Sequence, residues 1–93
     1  MKVSYVYVLR CSDKTYYTGI TNNLDKRLFR HNIGFYRGCY TYARRPLELS
    51  FYCEFPDITI ALDKERQLKR WPQSKKEMLI KGDYEELLNL KND

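Results

Sequence analysis

From Val3 to Leu9 the chain reads VSYVYVL, apolar at nearly every position. A half-exposed strand would alternate and an amphipathic helix would show a polar side. An unbroken run of this length suits a strand covered on both faces, and therefore a central one. Everything else in the fold has to supply neighbours for its edges and a layer for each face. Ser12-Asp13-Lys14-Thr15 is a turn-forming stretch, and Tyr16–Ile20 returns as a second strand.

The remaining elements follow from local signals. Asn22 or Asn23 caps a helix running to about Asn32, with Asp25 in its first turn and Gly34 as its stop. Gly34–Pro46 reads as a loop. The segment LELSFYCEF alternates, which puts Leu47, Leu49, Phe51, Cys53 and Phe55 on one face of a third strand. Pro56-Asp57 opens a second helix that ends near Trp71, just before Pro72. Ser74-x-x-Glu77 and Asp83-x-x-Glu86 have the form of capping boxes, with Gly82 between them. The expected fold is α+β, a small three-stranded antiparallel sheet flanked by helices in the order β-β-α-β-α-α, forming one domain over residues 1–93.

A chain of 93 residues fits one modest core. No apolar run is long enough for a membrane helix. The N-terminal MKVSYVYVLR carries one lysine and no small-residue cleavage site, which reads against a secretory signal. Cys11, Cys39 and Cys53 share no CxxC spacing, and the single histidine argues against a structural zinc site. A reducing, cytoplasmic setting is expected. The formal charge of +5 and pI near 9.2 favour a polyanionic partner such as nucleic acid.

Residues that break the burial pattern carry the functional signal. In the first helix the apolar stripe is Leu24 and Leu28, and Arg27 and His31 fall on the same side. In the second, Glu65 sits within the stripe of Ile58, Ala61, Leu62 and Leu68. An inward carboxylate is costly unless it is paired or holds a metal. Two readings are open at this point: a Glu65–Arg27 ion pair bracing the helices, or a site assembled from Arg27, His31, Glu65 and the hairpin tyrosines. Tyr5 and Tyr16 read as packing or rim residues.

YVY at Tyr5–Tyr7, YTG at Tyr17–Gly19, KRLFRH and IALDKERQLKRW together resemble the GIY-YIG nuclease superfamily, in particular its small single-domain bacterial branch. The resemblance spans Val3 to about Leu79. It implies that Tyr7 and Tyr17 are the tyrosines of the first and second motifs, Gly19 the second motif's glycine, Arg27 the essential arginine and Glu65 the metal-binding acid. His31 matches a position that is histidine in some members. Two departures stand out. The first motif lacks its glycine, and no counterpart of a downstream asparagine lies between Glu65 and Tyr84.

The function so implied is a divalent-metal-dependent endonuclease acting on DNA, in repair or processing, with one Mg²⁺ or Mn²⁺ and no small-molecule cofactor. The alternative is a nucleic-acid-binding domain of the same fold that cleaves weakly or not at all. In the enzyme, Tyr7 would be a general base with its phenol lowered by nearby cations. Arg27 would stabilise charge on phosphate oxygens, and Glu65 would hold the ion. Tyr17 and His31 would orient water or phosphate.

In the loop GFYRGCYTYARRP, Tyr36, Tyr40 and Tyr42 interleave with Arg37, Arg44 and Arg45, a pattern suited to phosphate contacts and base stacking. Arg37, Arg44, Arg45 and Tyr42 are the expected DNA contacts. The site also imposes a parity condition on the hairpin. Tyr7 and Tyr17 share a face only if odd residues pair with odd, which requires an odd-length connection or a bulge. The expectation is that both lie on the face of Arg27 and Glu65, with Val6 and Val8 packing behind.

Overall fold

The computed structural model of the chain describes residues 3–81. Three strands, β1 (Ser4–Arg10), β2 (Tyr16–Thr21) and β3 (Glu48–Phe55), form an antiparallel sheet in the order β2-β1-β3. Val6, Tyr7, Val8 and Leu9 are 0% exposed, so β1 is the central strand its composition demands. The helices are α1 (Leu24–Asn32), α2 (Ile58–Arg70) and α3 (Gln73–Ile80), with one 3₁₀ turn at Tyr42–Arg44. No helix among the described residues is long and apolar enough to cross a membrane.

Each face of the sheet has its own interior. On one, Val6 packs with Ala61 and Leu68 of α2 and Leu79 of α3, flanked by Ile20, Phe51, Phe55 and Trp71. On the other, Tyr7, Leu9, Cys11 and Leu47 pack with Tyr17, Leu49 and the α1 residues Leu24 and Leu28. The division depends on a bulge in β3. Val8 pairs with Phe51 but Leu9 pairs with Leu49, so Ser50 is the extra residue. The alternating apolar set is therefore split, with Leu47 and Leu49 on the Tyr7 side and Phe51 and Phe55 on the Val6 side. Alternation alone cannot reveal an inserted residue, because the sequence pattern continues unbroken across it.

The caps follow the sequence closely. Asn23 Oδ1 accepts from Lys26 N at 3.1 Å and Asp57 Oδ1 from Thr59 N at 2.8 Å, fixing the starts of α1 and α2. Gly34, at φ +77°, ends α1, its N–H donating to the His31 carbonyl. Two expectations need correcting. Ile58 and Leu62 are 53% and 36% exposed, so the buried side of α2 is Ala61, Glu65 and Leu68. Ser74 lies within the first turn of α3 and caps nothing, since Pro72 already fixes the backbone that enters this helix. The Asp83-x-x-Glu86 box and Gly82 lie outside the described residues.

Candidate active site

The hairpin satisfies the parity condition. Arg10 pairs with Tyr16 across the connection 11–15, and the register continues with Leu9 opposite Tyr17 and Tyr7 opposite Gly19. Odd residues pair with odd, so the two phenols share a face, their ring centroids 6.5 Å apart. Gly19 is required by this arrangement. A Cβ built there would collide with the phenol end of Tyr7, which lies across the glycine backbone.

Helix α1 delivers Arg27 and His31 to the same place, one turn apart. Tyr7 Oη lies 3.0 Å from His31 Nε2, and His31 Nδ1 lies 3.0 Å from Thr41 Oγ1. The Thr41 hydroxyl donates in turn to Cys39 Sγ at 3.3 Å. The Arg27 guanidinium sits 5.3 Å from the centre of the Tyr36 ring, and that ring packs edge-on against His31 at 5.0 Å. Tyr17 contacts His31 edge-on at 5.6 Å and stacks with Tyr40 at 6.4 Å.

Burial sets the resting protonation states. It pushes the Tyr7 phenol up to about 12, against a smaller lowering from Arg27's charge and hydrogen bond. The expectation that neighbouring cations lower Tyr7 is therefore reversed, because desolvation outweighs the one guanidinium. Burial also raises Tyr17, which donates to Cys39. His31 is held down to about 4, first by burial and then by Arg27, and is a neutral imidazole at pH 7. At Cys39 burial acts upward, but hydrogen bonds from the Thr41 side chain and backbone, Tyr17 and the Tyr40 backbone prevail and lower the thiol.

Tyr7, Tyr17, Arg27 and His31 are thus brought together, and Glu65 is not in contact with them. Glu65 is inward and only 9% exposed, as its place in the stripe implied. It lies, however, between Ala61 and Leu68 on the helix that covers the Val6 face, where the expectation had it on the face of Tyr7. Its ion pair is with Lys69, at 3.1 Å, and the Glu65–Arg27 brace does not form. β2 is an edge strand of the sheet. An open cleft of about 750 Å³ borders that edge, with Arg27, Ile20, Thr21, Asn22, Asp57 and Ile58 on its walls.

Glu65 offers the hard oxygen donor that a small divalent cation prefers. Among the described residues no cluster of three or more metal-ligating side chains is present. Thr18 Oγ1, also on the Val6 face, is buried with no hydrogen-bond partner among them. With Glu65 already paired to Lys69, the described residues offer an ion a single carboxylate and no preformed cage.

Arg44 and Arg45 of the loop are engaged internally. Arg44 Nε pairs with Asp13 Oδ2 at 2.9 Å, Nη1 donates to the Tyr40 carbonyl at 2.7 Å, and the guanidinium lies 3.7 Å over the Tyr40 ring. Arg45 Nε donates to the Tyr42 carbonyl at 2.9 Å, with its guanidinium 4.6 Å over the Tyr42 ring. Arg37 is exposed. Thr41 is 1% exposed, so the loop folds inward at its centre. Thr41 and Cys39 were not legible as site residues. Each is a small side chain in a basic, aromatic segment, and only the tertiary fold places them behind His31.

Known proteins resemble this chain over most of its length. Residues 3–78 match the family model described as the GIY-YIG catalytic domain. A UPF0213 protein of Syntrophus aciditrophicus is 42% identical over 87 residues, covering 94% of this chain and 100% of the relative. A UPF0213 protein of Bacillus pumilus is 44% identical over 77 residues, covering 82% of this chain and 76% of the relative. Among solved structures, the solution structure of a UPF0213 protein from Bacillus halodurans aligns with a TM-score of 0.56 at 36% identity, covering 95% of this chain and 96% of that one. That of a protein from E. faecalis aligns at 0.63 and 31% identity, covering 90% and 88%. With the two phenols on one sheet face, the glycine beneath Tyr7 and the arginine and histidine one helical turn apart, the chain belongs to the GIY-YIG family.

Proposed function

We propose that this protein is a metal-dependent endonuclease that hydrolyses phosphodiester bonds in DNA, using Mg²⁺ or Mn²⁺, in repair or processing of DNA. The observation that carries the reading is the Tyr7–His31 hydrogen bond at 3.0 Å beneath Arg27, a phenol backed by a neutral imidazole. A phenol with a pKa of about 12 is not a base at rest. It can pass a proton on as it receives one. Water's proton goes to Tyr7 Oη while Tyr7's own proton goes to His31 Nε2, and the hydroxide so formed attacks phosphorus as the bond to the leaving oxygen breaks. Arg27 takes up the charge building on the non-bridging oxygens. Tyr17 orients the phosphate. Glu65 would hold the ion, which would supply charge neutralisation at the leaving oxygen. A phosphate that draws Arg27 off the Tyr36 ring would expose Tyr7.

The formal charge of +5 and exposed Arg37 support a polyanionic substrate, bound through its backbone rather than its sequence. The complete burial of Tyr7 favours a second reading, a DNA-binding domain that does not cleave. One assay separates them: branched, nicked, single-stranded and duplex DNA incubated with the protein and Mg²⁺ or Mn²⁺, with and without chelator. Cleavage that chelator abolishes, and that Glu65→Gln lacks while remaining folded, supports the enzyme. Binding to these DNAs with no cleavage of any supports the second reading.

A further inference from the structure

The site contains two side chains, Thr41 and Cys39, to which the reaction above assigns no task. Thr41 Oγ1 stands 3.0 Å from His31 Nδ1 on the side of the ring away from Tyr7. A hydroxyl has one proton to give. Thr41's is committed to Cys39 Sγ at 3.3 Å, a sulfur also approached by the backbone N–H groups of Thr41 and Tyr40 and by the Tyr17 hydroxyl. What Thr41 presents to Nδ1 is therefore a lone pair. An acceptor there requires Nδ1 to carry the imidazole proton, which leaves Nε2 bare, and the tautomer of a histidine is set by the partner on its other nitrogen.

We propose that Thr41 is a positioning residue: its hydroxyl, oriented by Cys39, holds His31 in the Nδ1–H form so that Nε2 can receive the Tyr7 proton. Its use in catalysis rests on the endonuclease reading, but the tautomer itself does not. Without the hydroxyl the ring is free to move its proton to Nε2, where it faces the oxygen it is meant to serve. The arrangement is also nearly sealed from water, since His31 and Thr41 are 3% and 1% exposed.

His31 is the single histidine of the chain, so its ring nitrogens give an unambiguous long-range ¹H–¹⁵N spectrum. At pH 7 the uniformly ¹⁵N-labelled protein is expected to show a protonated Nδ1 and a bare Nε2. Thr41→Ser keeps this pattern. Thr41→Val, of nearly the same shape, moves the population toward Nε2–H, and Cys39→Ala moves it part of the way by freeing the Thr41 proton to face Nδ1. In cleavage, Thr41→Val lowers kcat at least about tenfold with KM unchanged, and Thr41→Ser restores it. An Nε2–H imidazole in the unmodified protein, or a Thr41→Val spectrum identical to it, overturns the proposal, and the first of these results needs no variant to fold. Failure of the protein to cleave any DNA would instead overturn the endonuclease reading and leave the tautomer assignment standing.

Discussion

Val6 and Tyr7 are successive residues of β1, both wholly buried, and they look into different interiors. Val6 faces Ala61, Leu68 and Leu79, where contact is dispersive and any well-shaped apolar group can serve. Tyr7 faces an imidazole, a hydroxyl and a sulfur joined by hydrogen bonds, where each polar atom must keep its partner or bear the cost of desolvation. One face can lose volume and remain the same kind of interior. The other can lose a single proton acceptor, at little cost in volume, and change what it is able to do. Glu65 apart, stability should therefore track the Val6 side and chemistry the Tyr7 side.

The strongest way to break that division is at Arg27. Arg27→Ala is expected to slow cleavage on the order of 10²–10³-fold, with the unfolding free energy changed by less than about 1 kcal/mol. A large stability loss with a small rate effect would assign Arg27 to packing. On the opposite face, Leu68→Ala should cost about 3 kcal/mol in denaturant unfolding and leave the cleavage rate of the folded fraction unchanged. Gly19→Ala tests the close approach of the Tyr7 phenol to the β2 backbone. The new methyl collides with the Tyr7 ring, and a loss of about 2 kcal/mol together with loss of activity is expected.

The difference also has a pH signature. Folded His31 titrates near 4 and the unfolded imidazole near 6.5, so between these values the unfolded chain binds more protons. Stability then rises with pH through this window, is fully present above about 6.5, and falls by about 2–3 kcal/mol toward pH 4. Acid unfolding that is flat across the window would mean that the imidazole is solvated. The smallest effect is expected at the rim, where Arg37→Ala should reduce the salt slope of DNA binding by up to about one unit and leave stability unchanged. Arg44→Ala should do more harm to the fold, because it releases Asp13 and the Tyr40 carbonyl.

What was legible in the sequence was whatever has a local cause. The central strand announced itself by its unbroken apolarity, α1 by Asn23 and Gly34, and α2 by Asp57. Hairpin parity followed from the alternation of side chains alone. Three features have non-local causes and could not be read. The bulge at Ser50 depends on how β3 docks on β1, so it divides a pattern that is perfect in sequence. Glu65's inward direction was visible from helical spacing, but which sheet face α2 covers was not. The upward shift of Tyr7 follows from the total burial of its ring, which no neighbouring residue in the chain reports.

The most direct test is Tyr7→Phe, which removes one oxygen from the buried face and keeps the ring over Gly19. Cleavage rate and unfolding free energy are measured on the same preparation, beside the unmodified protein. The expected result is a rate lowered at least about 100-fold with stability changed by about 1 kcal/mol, the cost of leaving His31 Nε2 without its donor. Cleavage at the unmodified rate by the folded Phe variant would contradict the account, since the phenol would then be packing and the proton path through His31 would not exist.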